Sequence, residues 1–212
     1  MTSPKRAVAL VDGFNLYHAL DDLHAPHLKW VDLRKLCERS VGRNLRLDKV
    51  LYFSAFATWR PDAYKRHRAY VAALQCVGVQ PIMGHFKQKD RWCNHCGTRW
   101  IAHEEKETDV NIALYLLNLA YKDCFDCALL ISNDSDLAPA VRMLKTEFPN
   151  KWVRVITPPK KRTSKELVQA AGGLTCVRTL KEKYLADALL PAAITSADGF
   201  IIQRPQEYQP PR

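Results

Sequence analysis

Short runs of aliphatic and β-branched residues alternate along the chain with longer segments of helical period. That alternation is the pattern of repeated βαβ units around a mostly parallel sheet. Strands are expected at Ala7–Asp12, Lys49–Phe56, Val79–Phe86, Ala128–Asn133, Trp152–Thr157 and Thr175–Thr179. AVALV and ALLIS are apolar at nearly every position, as in strands covered on both faces by helices. Helices are expected near Trp30–Val41, Pro61–Val77, Asp109–Lys122, Asp136–Glu147, Ser164–Ala171 and Lys181–Leu190. In the third of these, Val110, Ala113 with Leu114, Leu117 and Ala120 with Tyr121 recur at helical spacing, which predicts that this face is buried. Thr108 is placed to cap that helix, and Gly172-Gly173 to end the one that starts at Ser164.

Two stretches break the rhythm. Residues 87–103, KQKDRWCNHCGTRWIAH, are polar, aromatic and cysteine-bearing, and read as a hairpin or knuckle inserted into the domain. Residues 191–212 are proline-rich without net charge, and read as an extended tail pinned through Ile201-Ile202. One domain over residues 1–190 is therefore expected, and no internal repeat interrupts it.

The acidic residues fall at strand ends. Asp12 closes the first strand in VALVDGFN, and Asp134 and Asp136 follow the fourth in LLISNDSD. In open α/β sheets, sites lie beyond the carboxyl ends of the strands, where strand order reverses. Asp109 opens the helix that leads into the fourth strand, and its direction depends on tertiary contacts. Asp12, Asp109 and Asp134 can converge only if the first and fourth strands are neighbours, as in a 3-2-1-4-5 order. Uncompensated carboxylates in one site repel and raise each other's pKa values, and a hard divalent cation resolves that conflict. Mg²⁺ or Mn²⁺ takes oxygen ligands and is commonly shared with a substrate phosphate. Asn15 lies three residues after Asp12, where its amide could orient a water or a phosphate oxygen. Structural readings compete: Asp12-Gly13 as a tight turn, and Asp134 or Asp136 as a helix cap.

Three segments in order, VDGFN (11–15), EEKETDVNIA (104–113) and ISNDSDLAPAV (131–141), resemble the NYN domain family of the PIN-like nuclease superfamily. The resemblance runs from about Val8 to Leu190. It implies a Rossmann-like three-layer α/β/α sandwich and divalent-metal-dependent ribonuclease activity. By position it implies Asp12, Asp109 and Asp134 as metal ligands, with Asn15 and Asp136 in support. Lys106 and Glu105 fall in the matching EK element without an assigned role. Some members of the superfamily have lost catalysis and serve as RNA-binding modules, yet every acidic motif position is present here.

Charge and composition sharpen this picture. The chain holds 32 Lys and Arg against 22 Asp and Glu, a formal charge of +10 in 212 residues, which favours an anionic partner. Loops after the other strands should open on the edge that bears the acids. They bring Trp59 and Arg60 after the second strand, and Lys160, Lys161 and Arg162 after the fifth. Such cations attract the phosphate backbone, and Trp59 or Phe56 could stack on unpaired bases of RNA. Packing within the protein is the competing reading for both aromatics. No apolar run approaches a membrane span, and the run before Asp12 is too short for a signal peptide, so a cytoplasmic protein without a membrane partner is expected. A monomer and a homodimer both stay open.

Seven scattered cysteines do not form a disulfide framework. Cys93-Asn-His-Cys96-Gly has the CxxCG form of a metal knuckle, and His85 and His103 flank it, so a structural Cys₂His₂ zinc site is a candidate. Cys124 and Cys127 at a helix–strand junction read as small hydrophobes.

The leading expectation is a Mg²⁺- or Mn²⁺-dependent ribonuclease that leaves a 5′-phosphate and a 3′-hydroxyl. The first rival is a catalytically idle RNA-binding or adaptor module of the same fold. A phosphohydrolase with an Asp nucleophile would need a second Asp two residues on, where Phe14 stands. No glycine-rich phosphate loop follows the first strand, which disfavours a nucleotide-cofactor enzyme.

Overall fold

The computed structural model describes residues 4–42 and 44–211. A seven-stranded sheet runs through the centre in the order β4-β3-β2-β1-β5-β6-β7. These strands are β1 (Lys5–Asp12), β2 (Leu45–Ala55), β3 (Val79–Trp92), β4 (Arg99–Lys106), β5 (Cys127–Ile131), β6 (Trp152–Thr157) and β7 (Val177–Thr179). All pair in parallel except β4, which returns antiparallel along β3. The order reverses at β1, whose neighbours are β2 and β5, so the first and fourth expected strands do adjoin.

Alternation along β1 divides the core. Ala7, Ala9 and Val11 face one layer, which includes α2 (Leu33–Val41), α3 (Pro61–Cys76) and the short α7 (Glu182–Ala186). Val8 and Leu10 face the other, under α4 (Thr108–Tyr121), α5 (Ala138–Glu147) and α6 (Lys165–Ala171). Both faces are sealed, so β1 reads as a continuous apolar run. The α/β/α sandwich expected from the resemblance is the architecture observed.

Several local expectations are corrected. The segment GFNLYHALD forms a helix, α1 (Gly13–Asp21), where none was assigned. The helix expected from Trp30 begins later: Pro26–Trp30 is a 3₁₀ turn, and Asp32 caps α2 by accepting the Lys35 N–H at 2.9 Å. In α4 the buried stripe is Ile112, Leu116, Leu119 and Ala120, whereas Val110, Leu114 and Tyr121 are about 60% exposed. Apolar residues surround this helix, so the period alone did not select a face; packing on β1, β2 and α5 did. Thr108 is not the cap. It lies inside the first turn, and Glu105 accepts both its N–H and its hydroxyl, while Glu107 takes the cap position at a left-handed φ of 78°.

Residues 191–211 are not an extended tail. Ala193–Thr195 (β8) pairs with Ile201–Gln203 (β9), and Ile194 and Ile202 pack onto the core beside a buried Tyr208. The Trp30 indole donates to the Pro191 carbonyl at 2.9 Å, and Arg66 pairs with Glu207 at 2.8 Å, which fixes the segment to the domain.

α1 lies tight against β2. A Cβ on Gly13 would stand 2.4 Å from the Tyr52 ring and 2.7 Å from the Phe53 carbonyl oxygen. Gly13→Ala is therefore expected to destabilise the protein by ~1–3 kcal/mol. In a chain of this size that lowers Tm by ~2–4 °C per kcal/mol. Thermal melting checks this, and an unchanged Tm speaks against the close packing.

Candidate active site

Asp12 ends β1 and caps α1. It is 3% exposed, and both carboxylate oxygens are engaged. Oδ1 accepts the Asn15 backbone N–H at 2.9 Å, and Oδ2 accepts the Ser132 hydroxyl at 2.9 Å. The parallel register sets this up: Val11 pairs with Ile131, so the next residues, Asp12 and Ser132, leave the sheet side by side. Ser132 also accepts the Asp134 N–H at 3.1 Å, and Asp134 accepts the Asp136 N–H at 3.0 Å. A line of hydrogen bonds thus ties the ends of β1 and β5 together. Asp134 caps the 3₁₀ turn Ser135–Leu137, so the capping role weighed against a site role is fulfilled as well.

Asp109 is half-buried in the first turn of α4, which Glu105 fastens. The carboxylates sense one another. Burial lifts Asp12 to about 7 against the hydrogen bonds of Asn15 and Ser132, and the charges of Asp109 and Asp134 add to the rise. Burial lifts Asp109 to about 6, helped by the charges of Asp134, Glu105 and Asp136. Five acids from three strand ends and one helix start therefore share one field. None of the five forms an ion pair among the described residues, and clustered acids with raised pKa values are the mark of a candidate functional site.

The chemistry of the donors, though not their present spacing, suits a hard divalent cation on two observations. Every group is an oxygen donor of the kind Mg²⁺ and Mn²⁺ prefer. The Asn15 side-chain oxygen is buried with no hydrogen-bond partner among the described residues, on the residue whose backbone N–H holds Asp12. Among the described residues, no three His, Cys, Asp or Glu side chains already stand as a set that could hold a metal ion.

Ser132 and Glu105 were missed or unassigned in the sequence. A hydroxyl at a strand end two residues before Asp134 is the only local signal for the first. Glu105 could have been read from ExxT spacing at a helix start, since a carboxylate three residues upstream can reach the exposed amide.

The basic residues are only partly available. Lys160 and Arg162 are exposed in the loop after β6, whereas Lys161 pairs with Asp22 at 2.6 Å. That loop touches the site edge, because the Ser164 N–H donates to the Asn133 carbonyl at 3.3 Å. Arg60 is exposed after β2, and Trp59 stacks on His103 with ring centroids 3.7 Å apart. Phe56 is packed edge-on to Tyr64 and His67 within the protein, which removes it as a stacking platform.

The zinc expectation does not fit. Cys93 and Cys96 lie in the turn at the tip of the β3–β4 hairpin. His85 stands at its root, paired with Lys106 and 3.3 Å from Glu107. His103 lies opposite Gln88. At ~3.3 Å per residue, His85 is roughly 26 Å and His103 roughly 16 Å from Cys93 along the ribbon. Zinc ligands must all lie within ~2.3 Å of the metal, so neither histidine completes a site with the cysteines. Instead the Cys96 thiol lies 3.0 Å from the Thr98 hydroxyl, which, with Cys93, lowers its pKa.

Three comparisons bear on this arrangement. The chain is 24% identical over 180 residues to 6-hydroxy-3-succinoylpyridine 3-monooxygenase HspA of Pseudomonas putida. The aligned region covers 68% of this chain and 57% of that longer protein, and at this identity the name carries no activity across. The fold is shared with the crystal structure of a protein of unknown function from Vibrio parahaemolyticus. The TM-score is 0.60 at 21% identity, covering 90% of this chain and 99% of that one. The family model of the NYN domain, a nuclease-like family whose members generally bind RNA, matches residues 6–177. With that match over most of its length, the chain belongs to the NYN domain family.

Proposed function

We propose that the protein is a divalent-metal-dependent ribonuclease acting at the carboxyl ends of β1 and β5. The observation that carries the reading is the group of acids around the buried Asp12, which forms no ion pair among the described residues, with two pKa values lifted toward neutrality and an unpartnered acceptor on Asn15. Asp12, Asp109 and Asp134 would hold the cation, with Asn15 and Asp136 beside them. A bound Mg²⁺ or Mn²⁺ supplies charge to the phosphodiester and lowers the pKa of a water. The chain's own residues do the rest. Ser132 and the Asn15 amide lock the Asp12 carboxylate in place, and Glu105 sets the start of α4 so that Asp109 faces the same edge. Lys160, Arg162 and Arg60 frame the acids with positive charge that gathers the RNA backbone.

The test is incubation of the purified chain with end-labelled single-stranded RNA and Mn²⁺, with and without chelator. Metal-dependent products ending in 5′-phosphate and 3′-hydroxyl are expected. Tight RNA binding with no product under any metal would instead establish the idle binding module.

A further inference from the structure

A cavity of about 270 Å³ opens along α1, the helix that Asp12 caps. The two residues that follow Asp12, Gly13 and Phe14, form part of its wall. The remaining walls come from separate parts of the chain: Tyr17 on α1, Trp59 before α3, Phe86 on β3 and Tyr208 from the C-terminal segment. Aromatic rings from four separate parts of the chain therefore face one space, interleaved with small and aliphatic residues. Phe14, Tyr17 and Trp59 are 36–43% exposed and line the same opening, so their free surface forms one patch and not scattered single rings.

Its polar groups are few and specific. The His103 side chain lines the cavity, and its Nε2 is buried with no hydrogen-bond partner among the described residues. Lys29 and Arg66 are engaged by Asp21 and Glu207, whereas Arg60 is exposed. His67 Nε2 already meets the Tyr52 hydroxyl at 3.1 Å and has nothing left to offer. A pocket with aromatic walls, a buried unpartnered ring nitrogen on His103, the exposed His18 in its lining and a cation at the mouth suits a flat heterocycle carrying an anionic group. At the small end of the ~300–1,000 Å³ range of ligand pockets, it has room for one such ring system, not a stack of two.

We infer that this cavity takes one unpaired base of the RNA strand beside the scissile phosphate, stacked on the aromatic wall and hydrogen-bonded through His103, with Arg60 on an adjoining phosphate. The inference rests on the ribonuclease reading for the identity of the strand. It adds that the substrate must present a splayed, single-stranded base at the cut, because a base held in a duplex cannot enter.

The test reads binding without catalysis. A short single-stranded RNA and the same strand with an abasic site at each position in turn are titrated against the full chain in chelator. One position is expected to matter, weakening binding roughly tenfold when abasic, as the ~1–3 kcal/mol of a single stacked base implies. Trp59→Ala and the milder Phe14→Leu, each checked by thermal melting, should lose affinity for intact RNA and bind the abasic strand at that position like the unchanged protein. Equal binding of every abasic strand by the unchanged protein overturns the inference without any variant. So does displacement of RNA by adenosine or uridine monophosphate at the RNA's own affinity, which would make the ligand a free nucleotide. Absence of cleavage with Mn²⁺ in a separate assay speaks against the nuclease and leaves the binding result standing.

Discussion

Asp12→Asn should abolish metal-dependent RNA cleavage, by ~10³-fold or more, while making the metal-free protein more stable at pH 8. The two effects have one cause. Asp12 is buried at the meeting of β1 and β5 and raised to about 7, chiefly by loss of solvent. An unfolded Asp titrates near ~3.9. The folded protein therefore holds the proton more tightly than the unfolded chain. The stabilisation this gives is complete below the unfolded value and is lost as pH rises through about 7. At pH 8 the group is charged in both states, and the buried charge weighs against folding by an order of a few kcal/mol. Asparagine keeps an oxygen for the Asn15 amide and presents an NH₂ to the Ser132 hydroxyl, so the local frame survives without the charge. A Tm increase of about 5 °C is expected at pH 8, shrinking toward pH 5, where Asp12 is protonated. A variant less stable than the unchanged protein at pH 8 would show that Asp12 is a structural acid and not a strained site residue.

The second large effect is stabilisation by divalent cations that depends on pH. On the proposed reading Mn²⁺ and protons compete for Asp12 and Asp109, whose pKa values burial lifts to about 7 and about 6. Binding to the folded state at ~100 times the dissociation constant adds ~2.7 kcal/mol, or several degrees of Tm. The Mn²⁺-induced rise should be small at pH 5, grow through pH 6–7 and level off near pH 8. Asp12→Asn and Asp109→Asn should each remove most of it. A rise of the same size at pH 5 and pH 8, or one kept by both variants, would place the cation elsewhere.

Much of this site was legible because its parts are local. AVALVD and ALLIS declare strands covered on both faces, and an acid at each strand end is visible without knowing the fold. Their meeting required only that β1 and β5 adjoin, which the sheet order supplies. What failed was non-local or ambiguous. The Ser132 hydroxyl reaches Asp12 across 120 residues of sequence, and nothing near either residue announces it. α4 is apolar around most of its circumference, so its period predicted the wrong stripe. α1 hid because Phe14 and Tyr17, among its largest apolar residues, point outward into the aromatic cavity and do not mark a buried face. The histidines placed near the cysteines by sequence are held far from them by a ribbon that continues β3 well past the sheet. The C-terminal segment looked unstructured by its prolines, yet Tyr208 closes one side of the cavity.

The central claim is that Asp12, Asp109 and Asp134 hold one divalent cation between them. The most direct measurement is anomalous scattering from a crystal of the protein equilibrated with Mn²⁺ at pH 8. A manganese peak at bonding distance from carboxylate oxygens of Asp12, Asp109 and Asp134 is the predicted result. A manganese peak away from these residues, or none between them at saturating Mn²⁺, contradicts it.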